Sequence, residues 1–514
     1  MRLQSSAVNA LLVLLAFGWL LLFAHDGLTA PFSGDDLMNL HGYLSRTPVS
    51  LMVDNLRYWS TSYRPLGGLF YVVLYKCFGF DPLPFRVLCF GLLALNLGLL
   101  SRFLLRLSAS REVAFLALLI AAYHAWFVDL YYSTGTVYDL LCYSFYLGTF
   151  NLYLGVRARG QVLSGRHLAI VAALYVCALN AKEMAVSLPV LLAAYETIYH
   201  RRMLRWSGRG IVVTGLFSLP YVAGKLMGPG SLVENPAYRL TVSPGRYLDT
   251  FHLYLNPLLY QQHVFRDPNT VQLLLGMLAF ALCRRSRLLL FAWCWVLVSL
   301  LPVAFIAHYS AFFLYLPMAG WSLYAGVLLV NARKLLAGLL LHLARASNIQ
   351  AEHLQIASVV VLPVLLALFL APCHRRESLK TLRIFESVQP PSRHLAGEMI
   401  ALKPTLPRGA RVLFVNDPFA RDDYFLLFLT RLLYRDMTIT VERTPPGHGL
   451  AMGRDCYDAV FAFQDGRLVD ATVRPRTQSA LSQNLGNHAR RELVGQALFQ
   501  AVAIQKEVAA IQAQ

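Results

Sequence analysis

A chain of 514 residues that is 57% hydrophobic and only 14% charged is too apolar for a soluble globular protein, where about a quarter of residues carry charge. Its mean hydropathy of +0.50 points instead to a polytopic membrane protein. The net charge of +18 comes without zinc-finger spacing or a basic helix interleaved with aromatics, so it reads as the Lys/Arg bias of membrane loops and not as nucleic-acid binding.

The first apolar run, residues 8–24, follows Met1-Arg2. Leu28-Thr29-Ala30 resembles a signal-peptide cleavage site, but the run is nearly long enough to span, and an uncleaved anchor is expected. Beyond it stands Pro31-Phe32-Ser33-Gly34-Asp35-Asp36, which places two adjacent carboxylates just past a membrane helix. Residues 25–82 form an outer loop. Within it, 66–80 is short and contains Gly67 and Gly68, so an interfacial or re-entrant helix is expected there.

Further spans are expected at 84–105, 112–128, 135–156, 167–180, 185–199, 209–227, 268–283, 288–307, 311–330 and 355–372, about eleven in all with the first. Arginines cluster in five connecting loops: Arg102 to Arg111, Arg157 to Arg166, Arg201 to Arg209, Arg284 to Arg287, and Arg333 to Arg345. With these spans all five share the side of the N-terminus, the positive-inside pattern. The sequence thus predicts a cytoplasmic N-terminus in an inner or plasma membrane. Residues 335–345 are too short to span and are expected to lie along the inner surface.

After Pro372 the composition changes, and 373–514 reads as a small α/β extracytoplasmic domain. Its expected elements are a strand at 411–415, a helix at 420–435, a strand at 437–443, a hairpin around Asp465-Gly466, and a helix over 487–513. It lacks a Gly-rich phosphate loop, so a non-catalytic role in positioning an acceptor is expected. The cysteines form no metal or disulfide framework.

The expected outer face collects Asp35, Asp36, Arg64, Asp129, Asp139, Lys182, Glu183, Arg239, Arg246, His252, His263 and His308. Paired carboxylates with several cations suit one task. A carboxylate takes a proton from an acceptor hydroxyl while Arg and Lys hold a departing phosphate. Blander roles compete: Asp35 and Asp36 as helix caps, Arg64 at a lipid phosphate, Lys182 paired with Glu183, and Asp139 answering a Tyr hydroxyl or an Arg.

Four pieces stand in order: Gly34-Asp35-Asp36, Tyr63-Arg64-Pro65-Leu66, Asn180-Ala181-Lys182-Glu183 and Leu314-Tyr315-Leu316-Pro317. With them the chain resembles GT-C-fold membrane glycosyltransferases, in particular protein O-mannosyltransferases and bacterial polyprenyl-phosphate-sugar-dependent enzymes. The resemblance covers about residues 1–330 and implies a GT-C-like membrane domain over 1–372. It implies an inverting hexosyltransferase whose donor is a polyprenyl-phosphate sugar; the acceptor is a protein, lipid or glycan. Asp35 or Asp36 would be the catalytic base or would bind a divalent metal. Arg64 and Lys182 would bind the lipid phosphate, with Glu183, Arg239, Arg246, His252, His263, His308 and Tyr315 lining the substrate site. Relatives often carry Glu-Arg-Tyr before the Tyr-Leu-Pro piece. Here that stretch is His308 to Phe313, without that cation. Two other readings stay open: a transporter or flippase of lipid-linked saccharide, and a non-catalytic membrane scaffold.

Overall fold

The computed structural model describes residues 2–59, 64–200, 208–228, 238–261, 264–343, 351–388, 392–420, 423–446 and 456–472. The chain divides into two units. One comprises Met1–Ala30 with Arg46–Leu382, and the other Pro31–Ser45 with Arg383–Gln514. The first outer loop is therefore split, and Asp35 and Asp36 fold with the C-terminal region. The expected division at residue 372 placed them with the membrane helices.

The first unit is helical. Among the described residues, six helices are long and apolar enough to cross a membrane, or seven if the bent pair Arg111–Ala122 and Ala125–Tyr132 counts as one span. The chain thus has the character of a membrane protein, and the eleven-span expectation is not confirmed. Pro65–Phe78, Gly165–Ala181 and Pro268–Cys283 are apolar but shorter. The expected pair at 167–180 and 185–199 is broken at Lys182, whose extended backbone (φ −160°, ψ 150°) ends one helix. A second, of 12 residues, starts only at Leu188. The surface helix expected at 335–345 is instead the continuation of Met318–Leu343. Asn331-Ala332-Arg333-Lys334 contains no helix breaker, and Arg333 is tied to Glu112 (2.9 Å) and Ser358 (2.8 Å).

Aromatic packing anchors the middle of this unit. Trp295 is buried against Phe103, Phe150 and Phe291. Its indole N–H donates to the Leu316 carbonyl at 3.0 Å, which satisfies the one polar atom of a buried ring. That bond also fixes the backbone beside Tyr315.

The second unit is built on a four-stranded sheet: β1 (Arg411–Val415), β2 (Thr440–Thr444), β3 (Ala459–Gln464) and β4 (Arg467–Asp470), in the order β2-β1-β3-β4. β1 pairs parallel with β2 and β3, while β3 and β4 form an antiparallel hairpin. Its two-residue turn uses Asp465 and Gly466, both at positive φ (49° and 77°), the geometry that matches strand twist. Helix Phe425–Leu433, shorter than the expected 420–435, buries Phe425, Leu426, Leu429 and Leu432. Asp423 caps it through the Phe425 N–H at 2.7 Å. Asp422 and the helix expected at 487–513 lie outside the described residues.

Helix Gly34–Leu44 belongs to this unit because its face meets the Phe425–Leu433 helix. The His41 ring lies 4.7 Å from that of Phe428. Arg431 reaches His41 Nε2 at 3.1 Å, and Ser392 donates to the Phe32 carbonyl. Burial first, then the Arg431 charge, hold His41 below its usual value, so the neutral ring accepts the guanidinium proton. The helix starts with a capping box. Ser33 Oγ accepts from the Asp36 N–H at 3.2 Å, and Asp36 Oδ2 accepts from the Ser33 N–H at 2.8 Å. Ser33→Ala is expected to cost about 1 kcal/mol of stability. A lowered thermal midpoint of the purified protein checks this.

Candidate functional site

The first unit brings Arg64, Lys182, Glu183, His308 and Tyr315 into one neighbourhood. Arg64 occupies the left-handed region (φ 41°, ψ 64°) immediately before helix Pro65–Phe78. A non-glycine residue there is strained, and such strain persists where surrounding contacts fix the residue. Those contacts are Glu183, whose Oε2 accepts from Arg64 Nη2 at 3.0 Å and Nε at 3.3 Å, and the Tyr138 ring, 5.1 Å below the guanidinium.

Lys182 and Glu183 do not pair with each other. The extended backbone at Lys182 sends the two side chains to different partners. Lys182 is buried, with Nζ 2.5 Å from Asp139 Oδ1. The ammonium also lies 4.3 Å from the Phe312 ring centroid and 4.6 Å from that of Phe313. Asp139 thus answers a lysine, not a Tyr hydroxyl or an Arg. Glu183 is shared by Arg64 and, at 3.9 Å, by Lys225. Desolvation pushes the Glu183 carboxyl up, but the Arg64 and Lys225 charges outweigh it and hold it at about 2.

His308 completes the group. Its Nε2 is 2.8 Å from Ser310 Oγ, and its ring is 5.2 Å from Tyr238. Burial, then the Lys182 and Arg64 charges, keep it below its usual value and favour the neutral ring. Among the described residues, Arg64, Lys182 and Lys225 thus meet Asp139 and Glu183 in a largely desolvated place. Beside it, Asp139, Lys182, Phe312, Phe313 and Tyr315 line a cavity of about 10 Å³, room for roughly one water. The Tyr315 hydroxyl accepts from Asn96 Nδ2 at 3.2 Å, and its ring lies 4.4 Å from Tyr143.

Other expected residues have different surroundings. Arg246 donates to the Ile306 carbonyl at 2.7 Å. With Thr250 on Ala304 (2.8 Å), it braces the stretch leading to His308. The described part of the 228–267 loop thus supports this neighbourhood through helix Pro244–Leu258. Arg239 is exposed and His252 half-buried, while His263 lies outside the described residues. Sequence reasoning missed Lys225. A lysine near the end of the apolar run 209–227 was the signal, because ionisable groups in such runs are costly.

Asp35 and Asp36 are described within the second unit. Asp36 is fully buried in the capping box. Asp35 is exposed at its surface. Surrounding protein nonetheless desolvates its carboxyl, and with the Asp36 charge raises it above 3.8. The pair does not fit a metal. One Asp36 oxygen already accepts the Ser33 N–H, and among the described residues no three His, Cys, Asp or Glu side chains come together to hold an ion. No family model matches the chain, and no curated protein matches it.

Proposed function

We propose that this protein is an inverting glycosyltransferase that moves a sugar from a polyprenyl-phosphate donor to an acceptor hydroxyl. The observation that carries the reading is the cluster of Arg64, Lys182 and Lys225 around Asp139 and Glu183, largely out of solvent. Guanidinium and ammonium groups gathered in one place are the donors that hold a phosphate, and the lipid donor carries one. The acceptor oxygen bonds to the anomeric carbon, and the bond from that carbon to the phosphate oxygen breaks. The polyprenyl phosphate leaves with the bonding electrons, and the acceptor proton passes to a carboxylate base, the part that the sequence resemblance gives to Asp35 or Asp36. The leaving phosphate gains charge as the bond breaks, so cations fixed beforehand stabilise the transition state more than the bound donor.

Arg64 and Lys225 already flank one anionic group, the Glu183 carboxylate, at 3.0 and 3.9 Å. The cavity beside Lys182 is too small for a sugar, so donor entry requires Phe312 and Phe313 to move aside. The test is native mass spectrometry of the purified protein with polyprenyl phosphate. Wild type should retain the lipid, and Arg64→Gln should weaken it by about tenfold or more, the loss of one charged hydrogen bond. Equal retention by both proteins would remove Arg64 from the phosphate site.

A further inference from the structure

A second basic group lies at the C-terminal end of helix Pro82–Ser108. Arg102 and Arg106 are one turn apart there. Arg106 crosses to the neighbouring helix Val137–Arg157, where its Nη1 donates to the Asn151 carbonyl. Gly155 makes the crossing possible: a Cβ at that position would stand 3.0 Å from Arg106 Nη2. Arg159, just past the same helix, and Arg102 both exert their charge on Arg106. Arg102 and Arg159 are exposed, and Arg106 is half-buried.

Among the described residues, none of these three guanidiniums is paired with a carboxylate. Glu196 is held by Arg157 at 2.7 and 3.1 Å and by the Tyr153 hydroxyl at 2.8 Å, all buried. Three like charges brought together without an anion repel one another. An arrangement that persists despite this repulsion is already shaped for a phosphate, which guanidiniums bind through paired N–H donors.

The surface leading to the group is apolar. Leu88 and Leu95 are exposed and stand fourteen and seven residues before Arg102, on the same face of the helix. A ligand with an anionic head and a long apolar tail matches that sequence of surfaces. We propose that Arg102, Arg106 and Arg159 hold the phosphate of an anionic phospholipid whose acyl chain lies along Leu95 and Leu88. This site is independent of the transfer reaction and of the Arg64 cluster.

The test follows thermal unfolding of the full chain in detergent while phosphatidylglycerol, phosphatidylcholine or inorganic phosphate is added. Phosphatidylglycerol should raise the wild-type midpoint, and the other two should not. In Arg102→Gln/Arg159→Gln the half-saturating phosphatidylglycerol concentration should rise by about tenfold or more. The lipid-free midpoint of that variant should stay level or increase, because repulsion is relieved. A merely structural role for the arginines would lower it. Arg102→Lys/Arg159→Lys should keep most of the response to phosphatidylglycerol. An unchanged response in the Gln variant would overturn the proposal. An equal rise with phosphatidylcholine would show that head charge is not read, and an equal rise with inorganic phosphate would show a free-anion site; either contradicts it.

Discussion

Asp35→Asn is expected to lower sugar transfer by about 100-fold or more, the contribution of a positioned general base. The two adjacent carboxylates are not equivalent. Asp36 is buried and accepts the Ser33 N–H, so it maintains the helix start. Asp35, one residue earlier, is exposed. Asn keeps the size of the side chain and loses only its ability to take a proton, so donor binding should persist. Desolvation and the Asp36 charge raise the Asp35 carboxyl above 3.8, and the base acts only when ionised. Transfer should therefore be lost as pH falls, with the acid limb higher than an ordinary Asp would give, and rate measurements against pH check this. Undiminished transfer by Asp35→Asn would remove Asp35 from the mechanism.

The same packing changes the expectation for the C-terminal region. The helix that carries Asp35 rests on Phe428 and Arg431 of that region. A tail that merely positions an acceptor could be removed; one that supports the base-bearing helix could not.

Lys182→Met should be the most destabilising single change at the cation cluster. The side chains of Lys182 and Asp139 are 1% and 6% exposed, so removing the ammonium strands a carboxylate among apolar groups. Breaking one side of a buried ion pair typically costs about 3–5 kcal/mol. Lys182→Met/Asp139→Asn removes both charges and should recover most of that loss, since Asn and Met can occupy the space without an unpaired charge. Its affinity for polyprenyl phosphate should nonetheless stay reduced. Recovery of both stability and lipid affinity would make the pair purely structural. Thermal melts and lipid titrations of the three variants separate the cases.

The legible parts of this protein were those set by local chemistry. Asp465-Gly466 carries positive-φ turn residues between two apolar runs, and the hairpin forms there. Asp35 and Asp36 read as helix caps, and Asp36 does close a capping box, with Ser33 as the N-cap that was not singled out. Arg64, Lys182 and Glu183 were visible as charges beside apolar runs, but their partners were not. Lys182 and Glu183 are neighbours in sequence, and only the extended backbone between two helices sends one to Asp139 and the other to Arg64 and Lys225. Helix Val137–Arg157 carries Asp139 and Asn151, whose partners Lys182 and the Leu99 carbonyl lie on other elements and cannot be read along the sequence. The grouping of Gly34–Leu44 with the C-terminal region depends on contacts across nearly four hundred residues, such as Arg431 to His41, and leaves no local trace.

The most direct test incubates the purified protein in bilayers with polyprenyl-phosphate monosaccharides labelled in the sugar, and follows free polyprenyl phosphate together with the label on the acceptor. The account predicts that the two appear in equal amounts, that the anomeric configuration inverts, and that Asp35→Asn and Arg64→Gln both slow the reaction. Wild-type protein that binds the lipid phosphate yet releases none of it, whichever sugar the donor carries, would contradict the assignment as a transferase.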